Sequence, residues 1–289
     1  MPNPIPNNQQ IEVSYLYFDK PFSMDSLQMA TDHFNIGFTL QGYRRTITPL
    51  HTYTYQAGDV ALAPPYMYHR TLPNGKGPYE RIMIKFTRQF VQPFIDQMGE
   101  PTFLRLYESL VYHFTKDSQK KLRNMFFDIL EVYKKNAPYR EFILQGMLFR
   151  LFTTVLEEHI PAKFEAHPSP LSAQIIDALA YMENHYKSQP SLSEVASYVG
   201  FSAGYFSRLF HSQLGMPYGQ YLTNIQIRNV QILLTNTDMT IMDIANETGY
   251  CHGDYLSAQF KKKVGMTPSQ YRRTPKNSAI YDYKNAPFL

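Results

Sequence analysis

The sequence holds a single cysteine, Cys251, and no tryptophan among its 289 residues. One thiol excludes an internal disulfide and any cysteine-rich metal site, and it fits a reducing compartment, so a cytoplasmic location is expected. Without tryptophan, the strongest side chain for stacking on a sugar ring is missing. No run of about 18 apolar residues occurs, so no membrane-spanning helix and no membrane partner is expected. The opening MPNPIPNNQQ lacks a basic head followed by an apolar core, and it reads as a loose leader, not a secretory signal. Charge is scarce as well. The net value is +4, and from Leu171 onward ten Lys and Arg stand against eight Asp and Glu, too small an excess to mark a nucleic-acid binder by itself. No P-loop, nucleophile motif or paired-glycine nucleotide fingerprint appears, so no catalytic residue, cofactor or enzymatic activity is expected.

What is present is a chain long enough for about two domains, with 44% hydrophobic residues. Its most informative stretch is Ser191 to His211, SLSEVASYVGFSAGYFSRLFH. Leu192, Val195, Ala196 and Val199 recur at helical spacing, Gly200 supplies a left-handed residue to end that helix, and Ser202 can cap the next. The second helix should bury Phe206, Leu209 and Phe210. Its other face carries Ser202, Ala203, Ser207, Arg208 and His211, short or hydrogen-bonding side chains that leave room for a base edge. A small residue at the crossing, a glycine in the turn and a donor fork on the second helix are what a helix-turn-helix requires.

The pattern is written twice. Glu194-Val195-Ala196 with Gly200-Phe201 is answered 49 residues later by Asp243-Ile244-Ala245 with Gly249-Tyr250. Ser207 to Phe210 is answered by Ser257 to Phe260, and Gly215-Met216 with Gln220-Tyr221 by Gly265-Met266 with Gln270-Tyr271. Duplication is far more specific than one copy. Over about Leu171 to Arg273 these residues resemble the AraC/XylS family of bacterial transcription regulators. The resemblance implies that Gly204, Ser207 and Arg208 stand at base-reading positions, Arg208 being suited to a bidentate contact with guanine. The second copy departs from the family pattern. It has Gly253, Asp254 and Ala258 where a polar residue and an arginine are usual, retains Ser257, and carries His252 in place of the capping serine. Gln226 likewise stands where the bridging helix often has arginine. The first motif is therefore expected to read bases and the second mainly to grip backbone, with Asp254 at most accepting from a cytosine amino group.

Basic residues do gather locally. Lys261, Lys262, Lys263, Arg272, Arg273 and Lys276 crowd beside the second motif, and Lys261 and Lys262 are expected to contact phosphate, although such a run alone is as readily a solvated helix face. A first helix from Leu171 to Lys187 and a long one from about Tyr218 to Leu234 complete a half of about seven helices. The long helix is expected to hold the two recognition helices apart so that both enter successive major-groove segments about 34 Å apart.

From Ile11 to about residue 100 the chain reads as strands. Phe34, Ile36, Phe38 and Leu40 alternate, as do Ile82, Ile84 and Phe86, with turn signals at Gly42, Gly58, Pro64-Pro65 and Asn74-Gly75. A small barrel or jelly roll follows. Gly58 to Pro65, with His69 and Tyr79-Glu80-Arg81, resembles the cupin-type effector domain that precedes the DNA-binding half in many regulators of the same family. Metal-binding cupins need a close histidine pair, a carboxylate and a distant histidine. Here no close pair occurs, and His33 and His69 stand far apart in the sequence, so no metal is expected. A pocket is expected instead, in which Tyr43, Arg44, Tyr66, His69 and Glu80 could meet a sugar or another polar metabolite. Each has a structural alternative as a core aromatic, a satisfied histidine or a solvated charge.

After Pro101 the period changes to about 3.6. Leu122, Met125, Phe126, Ile129, Leu130 and Tyr133 form one stripe, and Phe142, Ile143, Met147, Leu148, Leu151, Phe152 and Val155 another, on either side of Pro138. The resulting helical hairpin packs internally or pairs two subunits; the family resemblance implies the second, hence a homodimer. Ile160 to Pro170 is a Pro-rich linker. The expected class is α+β: a cupin-like β-barrel in residues 1–100, a helical hairpin in 101–160, a linker in 161–170, and an all-α DNA-binding domain with two helix-turn-helix motifs in 171–289. The expected partners are a double-stranded DNA operator, a small-molecule effector such as a sugar, a second subunit and RNA polymerase. By resemblance the protein activates carbohydrate-use genes. A metal-cupin enzyme fused to a DNA-binding module is the alternative, and a DNA-bending protein without an effector a third reading.

Overall fold

The computed structural model describes residues 9–25, 27–28, 33–48, 51–65, 67–107, 109–135, 137–160, 167–168 and 171–273. The leader 1–8, Tyr66, most of the linker and Lys276 lie outside them. Two units separate between residues 168 and 171.

The alternating N-terminal segments form β1 (Ile11–Phe18), β2 (Phe34–Gln41), β3 (Tyr43–Ile47), β4 (His51–Gln56), β5 (Val60–Ala63), β6 (Arg70–Pro73) and β7 (Tyr79–Phe86), joined later by β8 (Val111–Tyr112) and β9 (His167–Pro168). Among the described residues they make two antiparallel sheets, ordered β1-β7-β2-β5-β8 and β6-β3-β4-β9, and not the closed barrel expected. The reason lies at Gly42. Its φ of +95° and the close approach of Pro78, whose carbonyl oxygen would stand 2.7 Å from an added Cβ, turn the chain so sharply that β2 and β3 enter different sheets.

One face of the five-stranded sheet is apolar. Ile36, Phe38, Ile82, Ile84 and Phe86 are all buried, in the parity the sequence predicts. Helices cover this face: α1 (Arg88–Met98), α2 (Glu100–Arg105), α3 (Lys116–Lys134) and α4 (Arg140–Glu158). Ring centroids lie 5.4 Å apart for Phe38–Phe126, 5.4 Å for Phe86–Phe152 and 5.2 Å for Phe34–Phe103. Burying one such ring stabilises by about 1.5–3 kcal/mol.

Two expectations are corrected here. The continuous run of strands ends at Phe86, well short of residue 100, because Thr87 caps α1 by accepting from the Phe90 amide and Phe90, Val91, Phe94 and Ile95 then face the core at helical spacing. In α4 the buried stripe is Leu144, Leu148, Leu151, Phe152 and Val155, whereas Phe142 and Ile143 are exposed. With Leu144 setting the phase, Phe142 falls on the opposite side of the helix.

Asp59, buried in the turn before β5, accepts from the Gln56 amide at 2.8 Å and contacts His113 Nδ1 at 2.9 Å. The hydrogen bond to Asp59 holds the His113 pKa above its ordinary value. A histidine raised in the folded state adds stability below its unfolded pKa of about 6.5 and loses it as pH rises through the folded value. The Tm advantage of the parent over His113→Gln is therefore expected at pH 5–6 and to shrink by pH 8; a flat difference would show that the ion pair contributes nothing.

The second unit is helical: α5 (Ala173–His185), a 3-10 turn (Tyr186–Ser188), α6 (Leu192–Tyr198), α7 (Ala203–Leu214), α8 (Tyr218–Asn236), α9 (Ile241–Glu247), α10 (Gly253–Val264) and α11 (Pro268–Arg273). Among the described residues no helix is long and apolar enough to cross a membrane.

Candidate nucleic-acid interface

Each motif starts on a capping box. Ser191 accepts from the Glu194 amide while Glu194 accepts from the Ser191 amide, and Thr240 and Asp243 do the same for α9. The bonds from Ser191 hold the Glu194 pKa below its ordinary value. Each first helix also ends identically, with Phe201 N donating to Ala196 O and Tyr250 N to Ala245 O, both at 2.8 Å, across glycines at φ +77° and +83°. This closure with a left-handed glycine satisfies the last carbonyls of the helix and aims the next one. Ala196 and Ala245 are wholly buried at the crossings. The duplication extends into the packing: Phe210 meets Tyr221 edge-on at 5.8 Å, and Phe260 meets Tyr271 edge-on at 5.4 Å.

In the first motif Ser202 accepts from the Tyr205 amide, and α7 buries Phe206, Phe210 and Leu214, with Leu209 only half-buried. The opposite face is open. Ser202, Gly204, Ser207, Arg208 and His211 are exposed and Ala203 is half-buried, so the predicted residues share one accessible face. Gly204 keeps it low, since a Cβ there would stand 3.9 Å from Arg208 Nη1. This surface presents a guanidinium fork, hydroxyls and an imidazole, the donors that base edges and phosphates accept.

The second motif differs as its sequence implies. Its turn is one residue longer, His252 makes no side-chain cap, and α10 buries Gly253, Leu256 and Phe260. Asp254 and His252 are exposed and Ser257 half-buried. Gly253, expected among the DNA-facing residues, is buried instead, because an added Cβ would lie 3.8 Å from Ile241 and Met242 at the start of α9.

The basic cluster also divides. Lys261, Lys262 and Arg273 are exposed. Lys263 Nζ donates to Asn224 Oδ1 at 3.1 Å, with its pKa pulled down first by burial, and Arg272 donates to the Met239 carbonyl at 2.5 Å. Only part of the expected phosphate-facing charge is thus turned outward. The long helix α8 is buried through Ile225 to Gln231, which makes it the wall shared by both motifs. Gln226, the departure from the family pattern, donates to the Thr248 carbonyl at 3.1 Å and so tethers α8 to the second turn.

The N-terminal candidates do not converge. Arg44 is buried, with its guanidinium 4.5 Å over the Tyr79 ring. His69 is half-buried, and its Nδ1 lies 3.3 Å from the Met67 carbonyl. Burial, then Arg81 and His33, hold its pKa below the ordinary value. Tyr43 is 43% exposed, at the start of β3. Glu80 accepts from Tyr15 on the helix-covered face of β7, away from Arg44. Strand parity carries this signal: Glu80 shares its side of β7 with Ile82 and Ile84, whereas Tyr79 and Arg81 share the other. Arg81 belongs with Arg44, although the sequence reading left it out of the site. Among the described residues no three His, Cys, Asp or Glu side chains group closely enough to hold a metal ion.

Two helix-turn-helix motifs joined through a buried helix, with a polar face exposed on the recognition helix, define a DNA-binding protein. The comparisons agree. The family described as "Helix-turn-helix domain" matches residues 195–274. The chain is 23% identical over 250 residues to the Msm operon regulatory protein of Streptococcus mutans serotype c, covering 86% of each. It is 25% identical over 240 residues to an HTH-type transcriptional regulator of Staphylococcus aureus strain COL, where the match covers 82% of this chain but 31% of that longer protein. The solved C-terminal domain of AraT, a response regulator from Geobacillus stearothermophilus, is 35% identical and is covered over 96% of its length and 40% of this chain, with a TM-score of 0.37. The chain belongs to the AraC/XylS family of transcription regulators, and it is a DNA-binding regulator, not an enzyme.

Proposed function

We propose that this protein is a cytoplasmic, ligand-responsive regulator that binds a double-stranded operator as a homodimer and activates carbohydrate-use genes together with RNA polymerase. In this reading α7 reads bases through Ser207 and Arg208, beside Ser202, Ala203 and Gly204. The second motif grips backbone through Lys261, Lys262, His252 and Ser257, with Asp254 left for one cytosine. The observation that carries it is the contrast between the motifs: α7 exposes Arg208 on a donor face, whereas α10 has exposed Ala258 at the matching position and starts on a buried glycine followed by an acid. A cupin-like domain in residues 1–100 would hold the effector, and the hairpin in 101–160 would pair subunits, for which exposed Tyr139, Phe142 and Ile143 supply an apolar face. An effector acts only if it binds two arrangements of the dimer unequally.

Duplexes selected from a randomised pool test the assignment. Arg208→Ala should lose about 1–3 kcal/mol at one base pair and relax preference there. Lys261→Gln with Lys262→Gln should weaken all duplexes alike and flatten the salt dependence. Unchanged preference in Arg208→Ala would remove the base-reading role from α7.

A further inference from the structure

We propose that the face of the N-terminal sheets turned away from the helices binds an anionic group, carboxylate or phosphate, of the effector between Arg44 and Arg81. The inference rests on the reading above that this domain holds an effector, and it narrows the chemistry of that ligand.

The argument begins with strand parity. Ile82, Ile84 and Phe86 point to the helices, so Tyr79 and Arg81 point the other way. From the second sheet Arg44, Thr46 and Tyr55 meet them. Arg44 Cζ lies 4.5 Å and Arg81 Cζ 5.8 Å from the centroid of the same Tyr79 ring. Two guanidinium groups therefore share one aromatic platform. Nearby, the Thr46 hydroxyl is 3.4 Å from Tyr55 Oη and 3.1 Å from the Thr71 hydroxyl.

Neither arginine has a counterion among the described residues. Arg44 is 1% exposed and donates from Nη1 to the Phe22 carbonyl, yet its Nε is buried with no acceptor. The Nε of Arg81 is likewise buried without an acceptor. The acids of this unit that make ion pairs are engaged elsewhere: Glu12 with Lys85, Asp59 with His113, Glu100 with Arg88, Glu131 with Lys134 and Glu158 with Lys121. Glu80 is bonded by Tyr15 on the opposite face.

A buried guanidinium without an anion is costly, and its planar fork matches the two oxygens of a carboxylate or phosphate. Burial is the first cause that lowers the Arg44 pKa, and Tyr55 and Tyr79 oppose that lowering more than Arg81 adds to it. A site built only to close the sheets would place an acid or an apolar pair here. Two half-satisfied arginines on one ring are what an incoming anion completes.

The test is thermal unfolding of the full chain with glucose, gluconate, glucose 6-phosphate and inorganic phosphate, at ionic strength matched with potassium chloride. At least one anion should raise Tm where glucose does not, gluconate against glucose 6-phosphate telling carboxylate from phosphate. Arg81→Gln should abolish that shift while its ligand-free Tm stays level or rises, because a like charge has been removed. Should Arg81→Gln not fold, Arg81→Lys, which keeps charge but loses the fork, should weaken the anion by about tenfold. An anion shift that survives in the variants would place the anion elsewhere and overturn the proposal. A shift with glucose alone would overturn it too while leaving the effector reading intact. No anion-specific shift at all, with Arg81→Gln merely less stable, would make the pair structural.

Discussion

Gly249→Ala is expected to unfold the DNA-binding half under conditions in which Gly200→Ala stays folded, although the two glycines are equivalent in the duplicated motif. Both adopt positive φ, +77° at Gly200 and +83° at Gly249, and forcing an L side chain there costs roughly 1–2 kcal/mol. Space separates them. A Cβ on Gly200 meets nothing within 4 Å, whereas on Gly249 it would stand 2.4 Å from the Lys187 carbonyl oxygen and 3.0 Å from its carbon. These are backbone atoms, so no side chain can swing aside. The Gly249 carbonyl also accepts from Gln189, and Lys187 is paired with Glu247, its pKa raised by that bond. Moving the turn breaks this whole seam. Overpacking against backbone, added to the strained φ, brings the cost to on the order of 3–5 kcal/mol. Urea unfolding of the two variants measures it, and equal midpoints would mean that the seam around Lys187 yields freely.

That asymmetry marks the limit of what the sequence discloses. The left-handed turn is legible at both glycines because the surrounding helix pattern repeats, and the cap at Ser202 is legible because its partner is local. The approach of Lys187 was not, since it joins positions 62 residues apart with no shared pattern. The same distinction runs through the first unit. Alternation gave the buried parity of β2 and β7, yet whether nine short strands close a barrel depends on the corner at Gly42, which local periodicity does not encode. Strands were carried too far, to about residue 100, because Pro93 and aromatic residues obscured the helical spacing of Phe90, Phe94 and Ile95. Gly253 reads as DNA-facing from its position in the motif alone, because its neighbours Ile241 and Met242 are not local in the sequence. Parity could have moved Glu80 out of the candidate site and Arg81 into it, since Ile82 and Ile84 settle which side each faces.

The second large effect is expected at an ion pair between a buried arginine and a half-buried glutamate that composition conceals. Arg228, 1% exposed in α8, donates from Nη1 to Glu183 Oε1 of α5 at 3.1 Å and from Nη2 to Oε2, a bidentate fork. Replacing Glu183 by leucine leaves the guanidinium in place and removes both bonds, which should cost about 3–5 kcal/mol. For a helical unit of roughly 100 residues that corresponds to a Tm lower by on the order of 15 °C. Glu183→Leu with Arg228→Met together should restore most of the loss, because two apolar side chains need no solvation to be replaced. Stability is then not what the pair is for. Along α8, Arg228 reaches α5 ahead of the first motif, Gln226 bonds the Thr248 carbonyl in the second turn, and Gln231 lies 3.4 Å from the Tyr271 hydroxyl of α11. Apolar packing alone would let a buried helix rotate or slide by a residue; these polar contacts fix its register against both motifs. The double variant should therefore melt near the parent yet bind a two-half duplex less tightly, while the penalty on a duplex offering only one half-site stays small. Parent-like affinity for the two-half duplex in the double variant would show that packing alone sets the spacing of α7 and α10.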